Sequence, residues 1–429
     1  MNAPQARRHA LLISPVMPAD TGNGLAMRAG VSLEALAADH EVVLLVLPIA
    51  GAADPSHLPA WAARHAARVL VLPVDGSGDT QFGLIARVRD AGARARRCSS
   101  IPARCCRGSR RRARSPRRRG SSPASPSTWS TCIASTSHRS RRRFVAARAD
   151  GRPVTVLDLD DDEPRTRRSL SALHALRGRA EAAAMEAAEA DKYASFEREW
   201  LPRFDRLLVC SEADRAAAAA RMSPDRIAVI PNAVRPPEPP ALRQPREEFG
   251  FLLVGSFGYA PNEDAALFFA EDIWPRLVAE SPRPVRAVLA GAGPTPAVVG
   301  LGRMPGIAVT GPVDTMAPCY AGADAAINPI RAGGGTRIKA IEAFAHGVPL
   351  VSTSIGAEGL DVEHERHVLI ADGAADFARA CLRLVREPWL GRALAEQAHA
   401  LLPRALRLAP VTQRLRAVYR ALAATPRHG

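Results

Sequence analysis

Short apolar runs bounded by Gly, Pro and Asp recur along the chain, and they alternate with longer stretches in which apolar residues return every three or four positions. ALLISPV (10–16), EVVLLVLP (41–48), VLVLPV (69–74), VTVLDLD (154–160), RLLVCS (206–211) and IAVIPN (227–232) read as buried strands. Helical stretches separate them, among them GLAMRAGVSLEALAADH (24–40) and a long one around 165–198. Residues 233–250, AVRPPEPPALRQPREEFG, carry five prolines in eighteen positions and read as a linker. The rhythm then resumes with FLLVGS (251–256), RAVLAG (286–291), IAVTG (307–311), ADAAINP (323–329), PLVST (349–353) and HVLIAD (367–372). The pattern predicts an α/β protein of two doubly wound, Rossmann-like domains, 1–232 and 251–386, facing across a cleft with ligands at the carboxyl ends of the strands. Residues 387–429 read as helices that can pack back on the N-terminal domain.

The alternation fails once. A strand is due between residues 74 and 154, where the chain instead holds CCRGSRRRARSPRRRG (105–120). Residues 94–143 contain sixteen Arg and twelve Ser, no Lys, Asp or Glu, and only Ile101 and Ile133 among Val, Ile, Leu, Met and Phe. Such a stretch buries too little apolar surface to offset its ordering entropy. It also holds the whole basic excess: the net charge is +15, yet outside the run 42 basic side chains face 43 acidic ones. Polyanionic partners therefore do not follow from the net charge.

Arg, Ser, Pro and Cys in excess are what GC-rich DNA yields when translated out of frame. Back-translating STWSTCIASTSHR (127–139) and stepping back one nucleotide gives triplets that admit Phe-Asp-Val-Val-His-Val-His-Arg-Leu-Tyr-Leu-Ala-Pro, a period-two apolar strand with histidines. Most Arg codons regroup to Ala, Pro, Ser or Thr, and the charge disappears. A compensated frameshift over 94–143 is therefore one reading, with a basic or disordered insertion as the other. An Arg-rich nucleic-acid-binding protein is the weaker form of the second, because Trp129 has no aromatic neighbours to build a stacking platform.

MNAPQARRHALLISPV has too short an apolar core for a signal peptide, and no run of about eighteen apolar residues spans a bilayer, so the expected location is cytoplasmic, either free or peripherally at the inner face of the membrane. Cys210, Cys319 and Cys381 lie outside the run in apolar settings without paired motifs, and read as buried filler rather than disulfides or zinc ligands.

The densest chemistry lies in INPIRAGGGTRIKAIEAFAHGVPLVST (327–353). A strand ends at Pro329, Gly333, Gly334 and Gly335 follow, Thr336 can cap a helix, and that helix runs to His346. Consecutive glycines let backbone approach a ligand closely, and a helix start offers unpaired N–H groups and a positive dipole end. Arg337 and Lys339 in the first turn oppose that dipole, a placement that an anionic ligand would explain. Glu342 lies six residues beyond Thr336, about 9 Å along the axis, and leans toward the N-terminus. That offset suits a carboxylate on ribose hydroxyls while the loop holds a diphosphate.

With these residues in place, residues 251–386 resemble the nucleotide-sugar-binding domain of the retaining glycosyltransferases of family four (glycosyl transferases group 1), which have the GT-B fold. The matching words are VGSFGYAPNEDA (254–265), LAGAGP (289–294), VTGPVDTMAPCYAGADAAINP (309–329), GGGTRIKAIEAFAHGVPLVST (333–353) and GAEGL (356–360); MPADTGNGLAMR (17–28) and IPNAV (230–234) match more loosely. The resemblance implies transfer of a sugar from an NDP-sugar co-substrate to a glycan, lipid-linked or small-molecule acceptor with retained configuration, no cofactor, no obligatory metal and no nucleic-acid partner. It implies that Glu342 is the ribose-binding second glutamate of the family's pair; Gly334 stands where the first would fall. The family's Arg and Lys after the first strand of this domain are missing from SFGYAPNEDA, and Arg337 and Lys339 are inferred to replace their charge. Gly22 and Gly24 match the N-terminal glycine loop that meets the diphosphate, and Gly311 and Val313 of the TGPV turn fall on the base side. The family's histidine follows an Asp-Val-Val-His-like strand, which here exists only in the shifted frame, so the catalytic residue is not assigned and His138 does not take that role. The departing phosphate of the family is thought to help deprotonate the acceptor hydroxyl.

LDLDDDE (157–163) could hold a metal through Asp158 and Asp160, but carboxylates between a strand and a helix more often cap that helix or complement its first turn. Another GT-B or Rossmann enzyme is a further alternative. A nicotinamide-dependent dehydrogenase would want G-x-G-x-x-G after the first strand, a spacing that LLISPVMPADTGNGLAMR does not provide.

Overall fold

The computed structural model describes residues 8–20, 24–48, 58–72, 129–135 (backbone only), 153–234, 246–334, 337–405 and 407–424. The chain divides into two compact units, Met1–Ile230 with Thr412–Gly429, and Pro231–Val411.

In the first unit seven parallel strands, β1 (Arg8–Ser14), β2 (His40–Val46), β3 (Arg68–Val71), β4 (Trp129–Ser135), β5 (Val154–Asp158), β6 (Arg206–Val209) and β7 (Ile227–Val229), form a sheet in the order β3-β2-β1-β4-β5-β6-β7. Its helices are α1 (Gly24–Ala37), α2 (Ala60–His65), α3 (Glu163–Leu176), α4 (Ala180–Trp200) and α5 (Glu212–Ala218). The apolar runs form central strands because both sheet faces are covered: Leu12, Leu44, Val156, Leu157, Leu207 and Leu208 are buried, as are Leu33 and Leu36 of α1. The strand that the alternation demands lies at Trp129–Ser135, between β1 and β5, with Ile133 in register with Leu12 and Val156. The rest of the basic run falls outside the described residues.

The second unit repeats the plan. Strands β8 (Phe249–Val254), β9 (Val285–Ala290), β10 (Ile307–Gly311), β11 (Ala325–Asn328), β12 (Leu350–Ser352) and β13 (Leu369–Ile370) form a parallel sheet in the order β10-β9-β8-β11-β12-β13. Its helices are α6 (Ala260–Phe268), α7 (Trp274–Glu280), α8 (Pro296–Leu301), α9 (Ala317–Ala321), α10 (Ile338–Ala345), α11 (Ala374–Arg386) and α12 (Pro388–Ala405). Every residue of β8 is buried, and Phe251, Leu253, Phe269, Trp274, Leu289 and Phe377 share one core.

The tail after residue 387 divides between the units. His399 of α12 hydrogen-bonds the Phe344 carbonyl oxygen at 3.0 Å in the second unit. The last helix, α13 (Leu408–Ala424), ties to the first unit through Asp39, which accepts from Arg416 at 2.5 and 2.6 Å and from Arg420 at 2.9 and 3.0 Å. Those bonds hold the Asp39 carboxyl well below the usual range. Cys210 and Cys381 are buried, whereas Cys319 is half-buried, less enclosed than filler would be. Among the described residues no helix is long and apolar enough to cross a membrane.

Candidate functional site

In the second sheet β8 pairs with β9 on one side and β11 on the other, so the loops leaving β8 and β11 diverge and open a crevice at their carboxyl ends. The loop after β8 leads into α6, and the glycine loop after β11 leads into α10. Close backbone approach is built in: Gly291, after β9, has φ +146, and a Cβ there would lie 1.9 Å from the Gly255 carbonyl oxygen. Gly333 has φ +119, a conformation that side-chain-bearing residues rarely adopt.

α10 begins at Ile338 with Arg337 in the cap position (φ −81, ψ 78), one residue later than Thr336 as cap would place it. Gly335 and Thr336 lie outside the described residues. Arg337, expected at a diphosphate, gives its guanidinium to the protein backbone. Nε donates to the Ile355 carbonyl at 2.8 Å, Nη1 to Gly334 at 2.5 Å and Nη2 to Gly333 at 3.0 Å, with Glu358 3.6 Å away. It therefore staples the glycine loop to the turn at 355–358.

Lys339 reaches across the crevice from α10 to α6, where its Nζ donates to Asn262 Oδ1. Asn262 in turn donates from Nδ2 to the Ser256 carbonyl at 2.9 Å, which ties the ammonium to the loop after β8. A lysine has three N–H donors, so two remain without a partner among the described residues. The positive charge that SFGYAPNEDA lacks thus arrives beside it from the neighbouring strand's helix.

Glu342, one turn further along α10, accepts a hydrogen bond from the Tyr320 hydroxyl at 3.2 Å. Burial pushes the Lys339 ammonium down to about 7, with Arg337 adding to the shift and Glu342 opposing it. Burial likewise pushes the Glu342 carboxyl up to about 7, against the Tyr320 hydrogen bond and Lys339. A nearby negative charge favours protonated lysine, so an anion beside Lys339 favours its charged form.

The structure thus brings Gly333, Gly334, Arg337, Lys339 and Glu342 together at one sheet end. Gly311 (φ +69) closes β10 two strands away, its carbonyl accepting from the Gly291 N–H at 3.1 Å, and Val313 lies half-buried just beyond. Gly24 opens α1 in the other unit; Gly22 and His138 lie outside the described residues. Asn262 and Tyr320 did not emerge from the sequence as site residues. The signals present were a polar residue in the first turn of the helix after the domain's first strand, and an aromatic residue between the base-side turn and β11.

The acidic run serves the first unit's own structure. Asp162 caps α3 by accepting from the Arg165 N–H at 3.1 Å, and Asp161 accepts from the Thr166 hydroxyl at 2.8 Å. Asp158 accepts from buried Arg28 at 2.9 and 2.6 Å, and Asp160 lies 3.6 Å from the same guanidinium. Among the described residues no group of three or more His, Cys, Asp or Glu is arranged to hold a metal ion.

Residues 248–387 match the family described as glycosyl transferases group 1. Solved structures of both domains share the fold. Sucrose-phosphate synthase from Thermosynechococcus elongatus is 16% identical with a TM-score of 0.65, covering 97% of this chain and 100% of its own. Anabaena HepE in complex with UDP and glucose is 13% identical at 0.60, covering 97% and 100%. A glycosyltransferase from Rickettsia africae ESF-5 is 10% identical at 0.61, covering 98% and 100%. No curated protein matches the chain. The fold is GT-B, and the family match lies within the second unit.

Proposed function

We propose that the protein is a retaining glycosyltransferase that moves a sugar from an NDP-sugar to a hydroxyl of a glycan, lipid-linked or small-molecule acceptor. The observation that carries this reading is α10: its first turn presents Lys339 and its second presents Glu342 beside a glycine loop, at the switch point of a parallel sheet. The loop, the helix start and Lys339 take the diphosphate, and Glu342 takes the ribose. Arg337 acts through the loop, whose shape its three backbone hydrogen bonds maintain. The bound nucleotides of HepE, UDP and UDP-glucose, lend support to this donor class.

In the transfer, the bond between the sugar's anomeric carbon and the β-phosphate oxygen breaks, and its electron pair leaves with the nucleoside diphosphate. A new bond forms from the acceptor oxygen to the same face of that carbon, and the acceptor's proton passes to the departing phosphate. Lys339 and the N-terminal dipole of α10 stabilise the charge that grows on the leaving group.

The test is calorimetry with UDP, GDP and an oligonucleotide, followed by turnover of an NDP-sugar panel with NMR assignment of the product anomer. Retained configuration with a nucleotide-binding chain is expected. Oligonucleotide binding without nucleotide binding, or an inverted anomer, would sink the reading.

We also infer that residues 94–143 are translated from a shifted frame. Central parallel strands are ordinarily near-continuous apolar runs. WSTCIAS is a poor one for the slot between β1 and β5, whereas the shifted reading supplies Asp-Val-Val-His-Val-His. Resequencing the gene decides it: a stop codon or a polar run in the adjacent frame would refute the inference.

A further inference from the structure

The Tyr320–Glu342 contact is the least expected feature of the second unit. Tyr320 is fully buried on α9, a five-residue helix that precedes β11. Its ring stacks on the His346 imidazole with centroids 4.5 Å apart and planes 9° from parallel. His346 closes α10, four residues beyond Glu342, so both side chains share one face of that helix. The phenol spans this turn, with its ring clamped at the His346 end and its hydroxyl meeting Glu342 Oε2 at 3.2 Å at the other. Burial keeps the hydroxyl protonated, so toward a carboxylate it acts as a donor. Oε1 of Glu342 accepts no hydrogen bond among the described residues.

A glutamate on a helix surface has three rotatable side-chain bonds, and holding it in one geometry costs entropy that a ligand would otherwise have to supply. One hydroxyl on Oε2 meets that cost in advance and leaves Oε1 for an incoming donor. We propose that Tyr320 is a positioning residue for nucleotide recognition: clamped on His346, it aims the Glu342 carboxylate at the ribose hydroxyls of the donor. The inference rests on the reading of Glu342 as the ribose contact.

The same geometry carries a pH signature. Lys339 and His346 face Glu342 from its own helix and Tyr320 faces it from α9, while His399 of α12 bonds the Phe344 carbonyl on that helix. The Tyr320 hydrogen bond lowers the carboxyl's proton affinity, so removing it moves ionisation of Glu342 to higher pH.

The test compares binding of UDP with 2′-deoxy-UDP, and of GDP with 2′-deoxy-GDP, by calorimetry from pH 6 to 9 for the full chain, Tyr320→Phe and Glu342→Gln. Tyr320→Phe keeps the ring stack and removes one oxygen. It is expected to cut the preference for the ribonucleotide about fivefold, to change affinity for the deoxynucleotide less than that for the ribonucleotide, and to shift the onset of the preference to higher pH. A Tyr320→Phe preference equal to that of the parent, with Glu342→Gln reduced, would overturn the positioning role and leave Glu342 on the ribose. A preference unchanged in Glu342→Gln would remove the ribose reading and the inference with it. Should Tyr320→Phe fail to fold, His346→Leu loosens the clamp and is expected to lower the preference in the same direction; a full preference in a folded His346→Leu would count against the clamp.

Discussion

Both units connect the helix after their first strand to the end of a later strand by a salt bridge, with opposite polarity and different surroundings. In the first unit Arg28 of α1 is buried against Asp158 and Asp160 at the end of β5, and its Nη1 also donates to the Ile230 carbonyl at 2.8 Å. Burial opposes its charge, yet the two aspartates hold the guanidinium charged. In the second unit Asp264 of α6 accepts two hydrogen bonds from Arg331, just after β11, at 3.0 and 2.9 Å, and the guanidinium lies over the Phe268 ring. Arg331 keeps a partly exposed face. A few residues further on, the second unit opens into glycine loops with Lys339 and Glu342, whereas Arg28, Asp158 and Asp160 consolidate the corresponding end of the first. In both units the bridge lies at the carboxyl end of the sheet, where a doubly wound fold forms its crevice.

The comparison can be broken most forcefully at Arg28. Arg28→Ala strands Asp158 in a buried setting, and urea unfolding is expected to show a loss of about 3–5 kcal/mol, with the transition of the first unit affected. A loss below 1 kcal/mol would mean that the pair is not structural. Lys339→Ala is expected to do the opposite, leaving unfolding nearly unchanged while weakening UDP or GDP about tenfold or more, in keeping with loss of a charge-assisted hydrogen bond. Undiminished affinity would remove Lys339 from the diphosphate. Arg331→Ala is expected to cost about 1–2 kcal/mol, because water reaches the pair and part of the loss is recovered by solvation.

The smallest effect is a pH dependence that separates the two ends of α10. The Lys339 charge is present below about 7 and lost as pH rises through that value, so its contribution to diphosphate affinity falls toward pH 9. Glu342 runs the other way, gaining its negative charge above about 7. Binding of inorganic pyrophosphate, which lacks a ribose, is expected to weaken severalfold between pH 6 and 9 and to lose part of that slope in Lys339→Met, the remainder following ionisation of Glu342. Titration calorimetry would check it; an unaltered slope in Lys339→Met would assign the proton to another group.

Much of this is legible in the sequence. The apolar runs marked the strands within a few residues, and the glycines followed by a helix marked the loop between β11 and α10, since both signals are local. Asp162 as the cap of α3 was equally open to reading, because a cap and the N–H it satisfies lie within one turn. The Arg337 side chain was not. Its place beside the loop suggested a ligand contact, and only the approach of residues 355–358 supplies the carbonyl and carboxylate that engage it.

The sequence by itself determined two alternating α/β units, the helix after the glycine loop, and Lys339 and Glu342 three residues apart on it. These depend on periodicity and on neighbours within a turn. Tertiary structure alone decided that Asn262 would hold Lys339 from 77 residues away, that Tyr320 would meet Glu342 from 22, and that Arg28 would find Asp158 across 130. Those partners meet because the strand orders place β8 beside β11 in one sheet and β4 between β1 and β5 in the other, and because parallel crossovers carry distant helices to the same sheet end. Hydrogen bonds are short and directional, so they report that placement and cannot be read from spacing along the chain.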